Sequence, residues 1–201
     1  MFNLNTCSLT HINNFKLNPN WLRVGILPFY NLKNIIYLLL GIYKVSNNHF
    51  ELCALSGGYK RTTESILDGA FREFNEETEQ LFQEYEFQIK NDIIKSPIIY
   101  SYGKNGIDRI LFLFNISKYI ELLSQKYNIN NISINLLKSL FTEHFKQKKN
   151  TELYGIQFIN INKFVYNYSD IKIYTDLIYF MKKNNIYRNK NLEKFIKYNN
   201  L

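Results

Sequence analysis

Hydrophobic and polar positions along the chain follow two periods, one suited to strands and one to helices. Residues 23–29, "RVGILPF", and 34–45, "NIIYLLLGIYKV", read as strands, the second continuous enough to be buried. Residues 48–56, "NHFELCALS", alternate and then meet Gly57 and Gly58. From 63 to about 79 the spacing turns helical, with Ile66, Leu67, Ala70, Phe71 and Phe74 on one stripe. The alternation of "YEFQIKN" (85–91) predicts a strand, and 96–117 predicts two strands around a turn at Gly103–Gly106. Helical spacing returns over 131–149 at Leu136, Leu137, Leu140, Phe141 and Phe145. An alternating strand over 152–164 follows, then a helical region from about Asp170. "KYNINNISIN" reads as loop, and no internal repeat is present. The order β-β-β-α-β-β-β-α-β-α predicts a single α/β domain over 1–201, a sandwich of mixed β-sheet flanked by helices. Residues 1–20 form an N-terminal extension and about 170–201 a basic C-terminal helical region.

Composition adds limits. With 201 residues, of which 46% are hydrophobic, the chain can bury one core. Its longest apolar run, "NIIYLLLGIY", is about half of what a spanning helix needs. The first residues lack a basic segment followed by an apolar one, so no secretory signal is read. The two cysteines, Cys7 and Cys53, make no disulfide or zinc pattern, and Cys53 in "FELCAL" reads as a small buried thiol. The expectation is an intracellular, cytoplasmic protein with no membrane partner. A net charge of +8 suits either a polyanionic partner or a lysine-rich solvated surface.

Against that basic background, one helix is acidic. At about 100° per residue, Glu73, Glu76 and Glu77 form a second stripe at the margin of the apolar one. Like charges three and four residues apart repel, and partial burial would raise their pKa values unless a cation sat among them. Mg²⁺ and Mn²⁺ take such oxygen ligands and leave other positions for water and phosphate. A solvated acidic face is the plain alternative. Gly69 falls among the carboxylates and leaves room for something to approach the backbone, at a cost of about 1 kcal/mol in a helix interior.

The spacing itself is specific. Gly58, five residues, Glu64, seven residues, then Arg72-Glu73-Phe74-Asn75-Glu76-Glu77 resembles the Nudix box, Gly-x5-Glu-x7-Arg-Glu-U-x-Glu-Glu-x-Gly-U, with U a bulky apolar residue. Three positions depart from it: Glu79 replaces the glycine, Gln80 the following apolar residue, and Ser56 a frequent proline. That glycine supplies a left-handed helix exit, so this helix is expected to run on or to end differently. The resemblance implies a Nudix-type α/β/α sandwich with residues 57–80 as its loop and helix. It implies Mg²⁺ or Mn²⁺ held by the Gly57 carbonyl, Glu73, Glu76 and Glu77. Glu76, Glu77 and a later glutamate, Glu152, would be catalytic, with Glu143 the second candidate for the last role. Arg72 would orient a glutamate through a two-bond fork, Glu64 would be structural, and Lys60 and Arg61 would meet substrate phosphates. His11, His49 and His144 read as ordinary surface or core.

The reaction class implied is water attack on a diphosphate linkage of a nucleotide-containing substrate. In its composition, its length and the helical stretch before Glu152, the chain is similar to decapping Nudix enzymes of large DNA viruses. Capped RNA is therefore the substrate expected, cut to 7-methyl-GDP and 5′-monophosphate RNA. Lys182, Lys183, Arg188 and Lys190, interleaved with Tyr187, Phe195 and Tyr198, could track an RNA backbone or form the solvent face of a helix. The alternatives are a pyrophosphohydrolase of small nucleotides or diphosphoinositol polyphosphates, and an inactive binding module of the same fold.

Overall fold

A computed structural model of the chain describes residues 5–46, 49–146, 153–161, 172–173 and 191–198. The strands are β1 (Thr6–Cys7), β2 (Arg23–Leu32), β3 (Ile35–Ser46), β4 (His49–Cys53), β5 (Leu55–Gly58), β6 (Ile98–Gly103), β7 (Gly106–Asn115), β8 (Leu153–Asn160) and β9 (Lys172–Ile173). The helices are α1 (Leu9–Ile12), α2 (Ile66–Glu77), α3 (Glu86–Ile93), α4 (Ser117–Lys126), α5 (Ile134–Lys146) and α6 (Asn191–Tyr198).

All nine strands join one sheet in the order β1-β6-β7-β2-β3-β4-β9, with β5 also on β2 and β8 on β3. The sheet is mixed: β2 with β7 and β4 with β9 run parallel, and the remaining pairs are antiparallel. Strand β2 is its hub. Its second half pairs with β3 (Phe29 with Leu38), and its first half pairs with β5 (Arg23 with Gly58, Val24 with Gly57). The chain thus leaves β3 along β4 and crosses to β2 as β5. This crossing delivers Gly57 and Gly58 to the start of β2, ahead of α2.

Alternation along β2 and β7 sends side chains to two faces. Val24, Ile26, Ile110 and Phe112 pack with Phe74 of α2, Ile89 of α3, Ile120 of α4 and Phe141 of α5. Leu27, Phe29, Leu111 and Leu113 pack on the opposite side with Leu192 and Ile196 of α6. A mixed sheet with helices on both faces is the architecture that the pattern of elements predicts.

Four expectations need correction. Residues 85–91 are helical, as a 3₁₀ turn Gln83–Tyr85 followed by α3. The period-two run Tyr85, Phe87, Ile89 misleads because Phe87 is 75% exposed, while the buried side chains are Ile89 and Ile93, four apart. Helix α4 lies in a stretch to which the pattern assigned nothing, and buries Tyr119, Ile120 and Leu123. The N-terminal extension belongs to the sheet: Thr6 pairs with Ile99, Leu17 bridges Ile107, and Ile12 is fully buried. Residues 172–173 form a strand beside β4, so helix does not begin at Asp170 as one run. Helix is observed at 191–198. Among the described residues, no helix is long and apolar enough to cross a membrane.

Candidate active site

Helix α2 begins at Ile66, three residues later than its periodicity suggests, because Ser65 caps it. Its Oγ accepts from the Asp68 amide (3.1 Å) and donates to the Asp68 carboxylate (2.7 Å), a reciprocal cap. A Cβ on Gly69 would stand 3.0 Å from Val24 Cγ2 and 2.9 Å from Glu64 Oε1. The room at Gly69 is therefore filled by the sheet and by Glu64, and is not left for a ligand.

The helix does not run on past the missing glycine. It stops at Glu77 with Thr78 as cap, and Glu79 (φ 52°) and Gln80 (φ 62°) take the left-handed conformation themselves. The Glu79 amide donates to the Glu76 carbonyl (3.0 Å) and the Gln80 amide to the Asn75 carbonyl (2.8 Å), the two bonds of a Schellman exit. One local and one tertiary contact hold it: Thr78 Oγ1 donates to the Phe74 carbonyl (2.7 Å), and His144 Nε2 of α5 donates to the Glu79 carbonyl (2.8 Å). His144 thus clamps the exit that glycine would otherwise favour.

Arg72 is the centre of the charged cluster. Its Nε and Nη2 fork onto Glu64 (2.9 and 3.0 Å), and Nη2 also donates to the Gly58 carbonyl (2.8 Å). Its Nη1 reaches Glu73 (2.5 Å) and Glu76 (3.1 Å). The predicted fork therefore falls on Glu64, which in turn accepts from the Lys60 amide (2.7 Å) and fixes the loop between β5 and α2. The Arg72 bond and, after burial's opposing effect, the Lys60 amide hold the Glu64 carboxyl below its usual range.

Glu73 lies against the glycine pair: a Cβ on Gly57 would stand 1.9 Å from its Oε2. Any side chain at 57 would expel that carboxylate. Burial pushes the Glu73 carboxyl above its usual range, against the pull of Arg72. Glu77 is buried as well, whereas the Glu76 side chain is 58% exposed. Burial and the Glu77 charge push the Cys53 thiol up to about 12, so this half-buried thiol is a poor nucleophile.

Among the described residues, no three His, Cys, Asp or Glu side chains already converge as a metal cage. Glu73 and Glu76 instead share Arg72. The donor set nevertheless fits a hard divalent cation. It consists of oxygens alone, Gly57 leaves space for the Glu73 carboxylate beside the loop backbone, and Glu76 opens to solvent.

The other predicted residues fall in three groups. Lys60 is exposed beside the box, and the guanidinium of Arg61 donates to the Asn18 carbonyl, so Arg61 ties down the N-terminal segment. Glu143, the second candidate for the later glutamate, is a surface residue paired with Lys146 (3.0 Å). Glu152, Lys182, Lys183, Arg188 and Lys190 lie outside the described residues. Within α6, Phe195 packs on the second core and Lys197 pairs with Glu193 (2.7 Å) at the surface.

Two residues beside the site escaped the sequence reading. Arg23 pairs with Gly58 across the strands, and its Nη2 donates to the Ser56 carbonyl (2.6 Å), bracing the backbone before the glycines. Arg109, in register with Arg23 on β7, is 5% exposed. The available signal was an arginine inside the apolar run "DRILFLF". Set against models of known families and against curated proteins, the chain matches none.

Proposed function

We propose that this chain is a metal-dependent hydrolase of diphosphate linkages with a Nudix-type site, acting on nucleotide-containing substrates and foremost on capped RNA. One observation carries the reading. Arg72 locks Glu64 to the loop after Gly58 while Glu73 rests in the space that Gly57 leaves free. The residues that define the box by spacing are thus the ones that contact one another. A solvated acidic helix would need none of these ties.

In this reading the Gly57 carbonyl, Glu73, Glu76 and Glu77 would hold Mg²⁺ or Mn²⁺. The bound cation supplies polarisation of a phosphoryl oxygen and offsets charge on the leaving oxygen. Arg72 and Glu64 keep the loop and the helix in register, so the buried carboxylates stay at the loop backbone. Glu76, exposed at the edge of the cluster, would take a proton from water, with Glu152 the further candidate. Lys60 would meet the substrate's phosphates. The net charge of +8 around an acidic site favours a long polyanion, and RNA is the substrate that exploits it.

The test is product release from cap-labelled RNA with Mg²⁺ or Mn²⁺, by wild type and by Glu76→Gln/Glu77→Gln. Metal-dependent release of 7-methyl-GDP, lost in the double variant, supports decapping. Hydrolysis of free nucleotides or of inositol diphosphates, without release from RNA, would move the substrate and keep the chemistry. Absence of hydrolysis on every substrate would leave the fold as a binding module.

A further inference from the structure

We propose that His144 is a positioning residue for the metal site: by holding the Glu79 carbonyl it fixes the last turn of α2, and so sets how tightly Glu76 and Glu77 take a divalent cation. The inference rests on the function proposed above and gives that site a support from outside the box. Glu76 and Glu77 are the final two residues of α2, where no following turn holds the helix. What comes after them is unfavourable. Glu79 (φ 52°) and Gln80 (φ 62°) are consecutive left-handed residues, and neither is a glycine. Yet the bonds of this exit fall on the site itself. The Glu79 amide donates to the Glu76 carbonyl (3.0 Å), and the Gln80 amide to the Asn75 carbonyl (2.8 Å). Were Glu79 to relax to the right-handed region, α2 would either run on or unwind. Running on would draw Leu81 and Phe82, both buried, out of the core. Unwinding is the easier course, and it moves Glu76 and Glu77 first.

Bonds within the segment oppose this weakly, because their partners move with it. Thr78 Oγ1 reaches back only to Phe74, and Asn75 Nδ2 bonds the side chain of Gln83. His144 differs: it meets Glu79 across 65 residues of sequence, from a helix that the core holds. One turn before it, Phe141 is fully buried, with its ring 6.2 Å from Phe82 and 5.4 Å from Phe158 of β8. Phe82 in turn stacks on Phe74 of α2 at 5.3 Å. The aromatic cluster that seats α5 therefore also seats α2, and His144 spans the two at the backbone. A carbonyl only accepts, so the half-buried imidazole carries its proton on Nε2. Glu73, one turn earlier, is held separately by Arg72 and by the space at Gly57. The effect of His144 thus falls on Glu76 and Glu77.

The probe is Mn²⁺ alone, followed by electron paramagnetic resonance as it is titrated into the full chain and four variants. These are His144→Ala, His144→Gln, Glu79→Gly and Glu79→Gly/His144→Ala, each checked for folding by circular dichroism; His144→Asn, with its shorter reach, replaces an alanine variant that does not fold. Losing the clamp lowers the fraction of chains with the competent exit, and affinity falls in proportion. His144→Ala should weaken Mn²⁺ binding roughly 3- to 10-fold, the worth of one hydrogen bond. His144→Gln, whose amide can donate from a similar place, should restore most of it. In the Glu79→Gly background the same loss should be less than about 2-fold, because glycine takes the exit unaided. A role in stability alone would lower Tm equally in both backgrounds and leave the affinity unchanged. Amide exchange in EDTA reads the exit without metal: Glu79 and Gln80 should exchange faster in His144→Ala, while β2 does not change. Wild-type Mn²⁺ affinity in a folded His144→Ala, an equal loss with and without Glu79→Gly, or unchanged exchange at 79–80 overturns this inference alone. A wild type that takes up no Mn²⁺ sinks the proposed chemistry and this inference with it.

Discussion

Replacing Arg72 with lysine retains the charge and removes the fork, so it separates geometry from electrostatics. Arg72 makes five charge-assisted hydrogen bonds, to both oxygens of Glu64, to the Gly58 carbonyl, to Glu73 and to Glu76. The bond to Glu76 counts for little, because that side chain is 58% exposed. An ammonium group can recover one or two of the remaining four. Bonds to charged groups contribute roughly 1.5–3 kcal/mol each when shielded, and less where water reaches them. The Glu64 and Glu73 side chains are only 9% and 11% exposed, so those left without Arg72 are poorly hydrated. We expect Arg72→Lys to cost about 3 kcal/mol, a fall in Tm of roughly 6–12 °C for a chain of this size. The assay is thermal and urea unfolding in EDTA, so that no metal takes part. Glu64→Gln should couple to Arg72→Lys by at least about 1 kcal/mol in a double-mutant cycle. A loss below about 1 kcal/mol, or strict additivity, would show that the fork does not hold loop to helix.

Four further outcomes follow from the same contacts. Mg²⁺ or Mn²⁺ should raise the Tm of the wild type, and the shift should vanish in Glu76→Gln/Glu77→Gln; an equal shift in both would place the cation elsewhere. Gly57→Ala drives a methyl group into the Glu73 carboxylate, so it should cost roughly 1–3 kcal/mol and abolish the metal-induced shift, read by the same melts. Glu79→Gly should stabilise by about 1 kcal/mol, since Glu79 holds φ 52° that glycine adopts freely; a lower Tm would mean the Glu79 side chain itself supports the exit. Finally, Arg72 holds Glu64, and Ser65 with Lys90 hold Asp68, below their ordinary values of 4.5 and 3.8. Their stabilising effect is complete above those values and is lost as pH falls through the lower folded ones. The Tm gap between wild type and Glu64→Gln should therefore be present at pH 7 and close in acid, as melts across pH would show.

The sequence made the sheet-and-helix plan legible because most elements carry one clear period. It failed where the period was ambiguous. Tyr85, Phe87 and Ile89 alternate like a strand, yet only Ile89 is buried, and Lys90 bridges Glu86 (2.8 Å) and Asp68 (3.0 Å) as a helical surface does. The charged cluster was legible from spacing, and the fork of Arg72 onto a glutamate from the resemblance that this spacing carries. What spacing could not give was partner choice at long range. That Gly69 faces Val24, that Arg61 holds Asn18, and that His144 clamps Glu79 depend on elements distant in the chain. The exit at Glu79 shows the same limit. A local rule demands glycine there, and the structure retains the left-handed turn with a residue that the rule disfavours.

Those long-range ties also explain how a helix tolerates Glu73, Glu76 and Glu77 side by side. Each end of α2 and its middle are fixed by contacts that owe nothing to a cation. These are the Ser65 cap, the close approach of Gly69 to Val24, the fork of Arg72 and the clamp of His144. The apolar stripe supplies the rest, with Ala70, Phe71 and Phe74 each no more than 3% exposed. Burying two such aromatic side chains is worth roughly 1.5–3 kcal/mol each. Repulsion between carboxylates four apart on a helix is only about 0.2–0.5 kcal/mol per pair. Packing therefore outweighs repulsion, and α2 should remain formed without metal. Amide exchange in EDTA checks this: protection across 70–77 should match that of β2, and selective loss of protection there would mean that the cation folds the helix as well as occupying it.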